Sequence, residues 1–405
     1  MGSVEVMLSK LCPNGVDYKL LGEVTTWDKK FNGTDKALQP KTVKFKHVSA
    51  SKLKQIAHEY GDIRLLATGV FEGYAHIDEV DESIINVGEV ISIPSGGAAD
   101  IKYHDGKFID SGNLLAVSSD STKYSLKYIW YWLLANNHHI QDRFRGSAVQ
   151  HPDMPSILKL EVPIPPLPVQ EEIVRILDTF TELTAELTAE LAARKKQYEF
   201  YREKLVSLES GPTKVDKADI QLLTLGEVGP VQMCKRILKA DTAVKGDVPF
   251  YKIGTFGKEP DAYITQSLYD KYRKEYSFPN KGDVLISASG TIGRTVIYDG
   301  KPAYFQDSNI VWVANDESKV LNKYLYHFYA LNPWKVTAGG TIPRLYTSDI
   351  SRTKMPVPPL SVQQEIVAIL DQFDTLTNSL TEGIPHEIAL RQKQYEFYRE
   401  KLLTF

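Results

Sequence analysis

Between residues 173 and 205 the chain marks out a seam in alternating steps of four and three: Ile173, Leu177, Phe180, Thr184, Leu187, Leu191, Arg194, Tyr198, Tyr201 and Leu205. All but Thr184 and Arg194 are apolar, and charged or small residues fill much of the intervening surface. This is a heptad pattern, and it predicts one long helix over 168–205 with a face made to pack on another helix. Pro163, Pro165, Pro166 and Pro168 stand just ahead of it, where a chain stops and a helix starts. At ~1.5 Å per residue such a rod spans roughly 55 Å, longer than a globular domain needs for its own core.

The same seam is written a second time, as Ile366, Leu370, Phe373, Thr377, Leu380, Ile388, Arg391, Tyr395, Tyr398 and Leu402. Four extra residues separate Leu380 from Ile388, and Gly383 and Pro385 fall among them. A kink or short break is expected there. The copies run over 165–209 and 358–405, and the ten residues KQYEFYREKL at 196–205 and 393–402 are identical. Two like helices with matching seams are expected to pack on each other. An antiparallel, pseudo-two-fold pair is favoured because it buries the same seam twice.

A globular segment precedes each helix. In the first, short β-branched runs at 63–70, 84–93 and 114–117 alternate with Gly, Asp and Ser turns and read as strands. An aromatic helix is expected at 124–136, a loop at 143–155 and a last strand at 158–162. The second segment repeats the plan. Leu21-Gly22-Glu23-Val24 recurs as Leu225-Gly226-Glu227-Val228, and 90–96 recurs as 284–290. Asp105-Gly106-Lys107 recurs as Asp299-Gly300-Lys301, and Asp110-Ser111 with Asn113 as Asp307-Ser308-Asn309. Gly146-Ser147-Ala148 falls where Gly339-Gly340-Thr341 does. The chain is therefore a tandem duplication. Its expected parts are a globular domain over 1–163, a long helix over 164–210, a second domain over 211–356 that includes a linker at 211–221, and a second helix over 357–405. The fold class is α+β: two similar α/β domains separated by two long antiparallel coiled-coil helices. The helices are close copies, whereas the domains share a scaffold and little else.

A length of 405 residues, with 42% hydrophobic and 24% charged, suits a soluble globular protein. The longest apolar run, at 128–135, is too short to cross a bilayer. No signal peptide is visible, and Val6 stands where a myristoylation motif wants Ser or Thr. Cys12 and Cys234 are far apart, which suggests a reducing, cytoplasmic setting. The net charge of −3 is unevenly spread. Residues 213–356 carry 20 basic and 15 acidic side chains, while the first domain and both helices are net acidic. A nucleic acid would feel the local face rather than the sum.

Catalytic signatures are missing. Asn332-Pro333-Trp334 lacks the second proline of an adenine-methyltransferase loop and reads as a helix terminus. Ser289-Gly290-Thr291-Ile292-Gly293 lacks the Lys-Ser/Thr ending of a phosphate loop. The nine histidines do not join the two cysteines at zinc spacing, and the acidic residues form no nuclease cluster. The aromatic stripes Tyr128, Trp130, Tyr131, Trp132 and Tyr324, Tyr326, Phe328, Tyr329 have helical spacing and read as core.

The domain–helix–domain–helix order, the EIVxILDxF and KQYEFYREKL motifs and the LTAELTAEL stretch resemble the specificity subunit of bacterial type I restriction–modification enzymes. The resemblance covers essentially the whole chain. Within it, 282–313 and Gly339-Gly340-Thr341-Ile342-Pro343-Arg344-Leu345 are similar to a target-recognition domain of that family; the first domain departs from this pattern at the matching loops. The resemblance implies that each domain reads one half of a split site in double-stranded DNA and that the helices act as spacer. It implies two methyltransferase subunits using S-adenosylmethionine and restriction subunits using ATP and Mg, with no cofactor or catalysis in this chain.

Candidate DNA contacts are then basic, amide and hydroxyl side chains on loops, which neutralise phosphates or read base edges. In the first domain these are Lys44, Lys46, Ser95, Lys102, Arg145, Ser147, Gln150 and His151. In the second they are Ser289, Thr291, Arg294, Thr341, Arg344 and Tyr346. Each alone reads equally as a turn residue or a solvated charge. Two competing readings are a recognition module of a fused or free-standing methyltransferase, which the missing cofactor motifs oppose, and a coiled-coil adaptor without DNA preference.

Overall fold

The computed structural model describes residues 2–69, 71–208, 217–335 and 344–405. Contacts divide the chain into two compact units, Met1–Glu186 with Ile388–Phe405, and Leu187–Glu387. Five helices carry the description: α1 (Leu126–Ala135), α2 (Leu167–Ser207), α3 (Asn322–Tyr329), α4 (Leu360–Asn378) and α5 (Ile384–Leu403). The first seam forms one uninterrupted helix, α2. The second is interrupted as its Gly and Pro predict: α4 ends at Asn378 and α5 begins at Ile384. A Cβ on Gly383 would lie 2.3 Å from the Thr375 carbonyl oxygen, so the returning chain packs there against the end of α4 closely enough to require glycine.

In the first unit one sheet has the strand order Thr25–Trp27, Leu114–Ser118, Asn86–Ile93, Lys102–Asp110, Ile63–Leu66, Glu72–Ala75. Only the Lys102–Asp110 and Ile63–Leu66 pair is parallel. Gly88 and Gly106 face each other across the long hairpin, both at positive φ, a conformation other residues avoid. A two-stranded ribbon pairs Asp17–Leu20 with Glu161–Ile164, so the last strand lies a few residues later than the apolar run at 158–162 suggested. Leu158 is instead core, below the short helix Met154–Ile157.

The second unit repeats this topology. Val231–Met233, Ile310–Val313, Val284–Ser287 and Thr295–Ile297 lie side by side, and Val248–Tyr251 pairs in parallel with Tyr304–Phe305 and antiparallel with Tyr263–Ile264. The long strand Lys102–Asp110 thus has two shorter counterparts, Thr295–Ile297 and Tyr304–Phe305. The ribbon recurs as Gln221–Thr224 against Lys354–Val357.

Each unit closes its core with a helix pair. In the first, Ile173 and Leu177 of α2 pack with Leu402 and Leu403 of α5 under α1, whose Tyr128, Ile129, Tyr131 and Leu133 are buried. The Tyr18 hydroxyl, one residue along the ribbon from the chain that enters α2, reaches the Phe405 carbonyl at 3.0 Å, while Phe180 stacks on Tyr398 at 5.1 Å. The segments therefore run antiparallel. In the second unit Phe373 of α4 stacks on Tyr198 and Tyr201 of α2 at 5.9 and 5.5 Å, and Tyr324 of α3 donates to the carbonyls of Val206 and Pro356. That pairing is antiparallel too. The aromatic stripes are core, as their spacing implied.

The helix starts are fixed alike. Gln170 is fully buried; its amide donates to the carbonyls of Pro165 and Lys123 and its oxygen accepts the Ser125 N–H at 2.8 Å. Gln363 does the same with Pro358, Lys319 and Leu321. A buried amide with every polar atom paired locks each long helix to the start of α1 or α3.

Candidate nucleic-acid interface

In the first unit, residues about fifty positions apart in sequence meet. The segment between Arg143 and Pro155, expected as a loop, contains a small hairpin in which Phe144–Arg145 pairs with His151–Pro152. The loop that follows strand Asn86–Ile93 docks on this hairpin: the Gly97 N–H donates to the Gln150 carbonyl at 2.8 Å. His151 Nδ1 lies 2.6 Å from the Ser95 carbonyl oxygen. That oxygen can only accept, so Nδ1 carries the hydrogen and Nε2 is left as the acceptor of the neutral ring. A Cβ on Gly96 would press on the His151 ring and Val149 at 3.2 Å, so the two segments approach closely here.

Arg145 lies opposite His151 and donates to the Asp142 carbonyl at 2.5 Å. The Gln150 side-chain oxygen accepts from Gln141 Nε2 at 3.0 Å, and Gln141 is held in turn by the Ala99 N–H at 2.7 Å. Arg145, Ser147, Gln150 and His151 are exposed and Ser95 is half-buried. These five form one patch.

The three lysines lie differently. Lys44 is exposed with no side-chain hydrogen bond among the described residues. The Lys46 ammonium donates to the Ile85 carbonyl at 3.1 Å. Lys102 is 14% exposed in its side chain, bonded to the carbonyls of Ala67 and Gly69 and to the Asp100 carboxylate. Its charge is committed to tying the segment after strand Ile63–Leu66 to the start of strand Lys102–Asp110.

In the second unit the corresponding strand runs into Ser289, which bridges to Arg344, and the Leu345 N–H donates to the Ala288 carbonyl at 2.8 Å. The Ser289 hydroxyl donates to Asn309 Oδ1 at 2.8 Å. The Arg344 guanidinium donates to the Ser308 carbonyl at 2.7 Å. Arg294 is anchored by the Phe256 carbonyl at 3.0 Å, with Nη2 at 3.5 Å from Thr291 Oγ1. Ser289, Thr291, Arg294 and Arg344 are thus gathered around the turn after strand Val284–Ser287. Tyr346 follows, 48% exposed, with its N–H accepted by Asp349 at the start of helix Thr347–Arg352. Thr341 lies outside the described residues.

Sequence reasoning missed the supports beneath these patches. Gln141 gave no signal. The duplicated Asp-Ser and Asn motif was visible, but not its task. In the second unit Ser308 and Asn309 hold Arg344 and Ser289. In the first, the buried Asp110 carboxylate gathers the N–H groups of Gly112 and Asn113 and the Asn113 amide, and His47 bridges it to Asp28 at 2.7 and 3.1 Å. Burial pushes the Asp28 carboxyl up. It also pushes the Cys234 thiol up to about 12, unsuited to a nucleophile. Among the described residues no group of His, Cys, Asp or Glu could hold a metal ion, and no helix is long and apolar enough to cross a membrane. Each unit therefore offers a group of exposed or half-buried guanidinium, hydroxyl, amide or imidazole side chains on a hydrogen-bonded turn, chemistry suited to phosphates and base edges.

Comparison with known proteins agrees. The model of the type I restriction modification DNA specificity domain matches twice, at residues 45–194 and 217–390. A Haemophilus influenzae protein provisionally named a type I restriction enzyme specificity subunit is 48% identical over 348 residues, 83% of this chain and 88% of that one. The EcoR124I/EcoR124II specificity subunit of Escherichia coli is 34% identical over 327 residues, 74% of this chain and 76% of its own. The crystal structure of a type I restriction–modification S subunit from M. genitalium shares the fold, with a TM-score of 0.59 over 97% of both chains at 17% identity. With the specificity-domain model matched in both repeats and a relative this similar over most of its length, the chain belongs to the specificity subunits of type I restriction–modification systems.

Proposed function

We propose that the two units read the two halves of a bipartite site in double-stranded DNA, with 1–163 and 211–356 as readers and 164–210 and 357–405 as the spacer between them. One observation carries the reading. In both units the turn after the equivalent strand meets the segment ahead of the long helix, on the same backbone plan but with different side chains. Ser95 and Gly96 with Arg145, Gln150 and His151 in one unit stand where Ser289 and Thr291 with Arg344 stand in the other. A common scaffold with divergent tips is what two readers of unlike sequences require.

On this reading the chain performs no reaction. Two methyltransferase subunits dock on it in the cytoplasm and methylate adenines with S-adenosylmethionine. Restriction subunits that use ATP and Mg complete the nuclease. The repeated helix ends, with Phe200 and Phe397 both exposed, suit two like partners. Mapping methylated adenines in cells that make the chain and its methyltransferase tests this. The expected result is a split motif with a fixed gap; a single uninterrupted motif, or no motif, overturns it.

A further inference from the structure

We propose that the second unit carries a phosphate-binding cleft beside its reading turn, an anchor for the DNA backbone that the first unit lacks. The inference rests on the DNA-reading function above and adds a contact to it. A cleft of about 630 Å³ lies between the end of helix Gln266–Glu275 and the turn Asp299-Gly300-Lys301. Arg273, Lys281 and Lys301 line it, together with Tyr276, Phe278 and Tyr298. Asp299 is the carboxylate among its lining residues, and it pairs with Lys301 at 3.2 Å. Arg273 and Lys281 have no carboxylate partner among the described residues. Arg273 is held over the Phe278 ring at 5.5 Å, which fixes a guanidinium without neutralising it. Lys281 packs its stem against Gly300, where a Cβ would come within 3.1 Å. Three cations against one carboxylate, two of them on positioned stems, form an anion site.

Two facts point to DNA phosphates as the anion. The cleft adjoins a second one that reaches the anchor of Arg294. This second cleft shares Tyr298, Asp299 and Lys301 with it and extends to Phe256, Gly257 and Lys258, and Phe256 is the residue whose carbonyl anchors Arg294. From Arg294 to Lys301 the chain spans at most ~23 Å at ~3.3 Å per residue. That is within about seven base pairs of duplex. The other fact is the contrast with the first unit. Between its strands Glu72–Ala75 and Asn86–Ile93, where the second unit has its helix, stand Asp78, Glu79, Asp81 and Glu82. The same place in the fold is acidic in one unit and basic in the other, so Arg273 and Lys281 do not belong to the shared scaffold, whereas Lys301 repeats Lys107.

The test uses the full chain, with its methyltransferase partner where binding needs it, on duplexes carrying the mapped site. The variant is R273A/K281A/K301A, three side chains on the rim of the cleft. Each lost phosphate contact flattens the slope of log affinity against log salt by ~0.9. The triple variant is expected to lose about two to three units of slope with its half-site preference intact, and the charge-conserving variant R273K/K281R/K301R is expected to keep them. Neutral methylphosphonate linkages, introduced singly within about seven base pairs of the second half-site, are expected to weaken the wild type but not the triple variant at a cluster of positions. An unchanged slope, a changed half-site preference, or linkages that never distinguish the two proteins would overturn the inference. A wild type that shows no preference for the mapped site would instead overturn the DNA-reading function itself.

Discussion

The ring of Phe180 stacks on that of Tyr398 at 5.1 Å, although the two residues lie 218 positions apart. The equivalent residues of the other repeat, Phe373 and Tyr201, stack at 5.5 Å. The identical ten-residue motif is therefore the partner of the EIVxILDxF motif of the opposite copy, once in each unit. Replacing Phe180 and Tyr398 by alanine, singly and together, is expected to show a coupling of about 0.5–1.5 kcal/mol in a double-mutant cycle by urea unfolding. Additive losses would mean that the rings merely lie near each other.

Gln363→Leu keeps the volume but strands the Leu321 N–H and the carbonyls of Pro358 and Lys319 inside the second unit. Each stranded group costs about 1–3 kcal/mol. The variant should melt well below the wild type, and Gln170→Leu should do the same through Ser125, Pro165 and Lys123. A melting temperature within a degree of the wild type would show that water replaces the amide.

His327 is fully enclosed, with Nε2 3.2 Å from Asp371. Burial holds its imidazole below the usual value, and Asp371 offsets this only in part. The folded chain therefore keeps the ring neutral where the unfolded chain, with a pKa of ~6.5, takes up a proton. Because the unfolded state binds more protons, stability falls as pH drops through that value and is recovered above it. Unfolding midpoints at pH 5.5 and 7.5 should differ in the wild type and differ less in His327→Gln. Equal pH dependence in both proteins would assign the effect to other groups.

Arg344 is half-buried and fixed by the Ser308 carbonyl, so its remaining N–H groups are aimed rather than free to wander. Arg344→Ala is expected to weaken binding to the mapped site by about 1–3 kcal/mol and to relax preference in one half-site only. Competition binding with duplexes altered one base pair at a time measures this. An equal loss on every duplex would make Arg344 a phosphate contact.

The helix α2 passes from one unit into the other through two four-residue units, Thr184-Ala185-Glu186-Leu187 and Thr188-Ala189-Glu190-Leu191. Each adds roughly 6 Å of helix. Deleting one should shorten the gap in the methylated motif while both half-sequences stay the same. Sequencing methylated sites decides the point, and an unaltered gap removes the spacer from the proposed function.

Period, repetition and helix breakers were enough to derive α2, the break before α5, the aromatic cores and the doubled plan. These are local or self-comparing properties: a seam of apolar residues declares its own helix, and a duplicated motif declares an equivalent position. The candidate site was only half legible in this way. Ser95 and Ser289 stood out through the repeat, but that Ser95 meets His151 and Ser289 meets Arg344 depends on backbone bonds closed across about fifty residues, which no periodicity encodes. The lysines show the converse. Lys102 is a plausible phosphate contact by composition, yet the fold folds it inward onto the carbonyls of Ala67 and Gly69. Which segments are rods and which are repeats follows from side-chain spacing along the chain. Which charges stay outside is set in the folded molecule, because a cation's role depends on the carbonyls and carboxylates that distant segments bring to it.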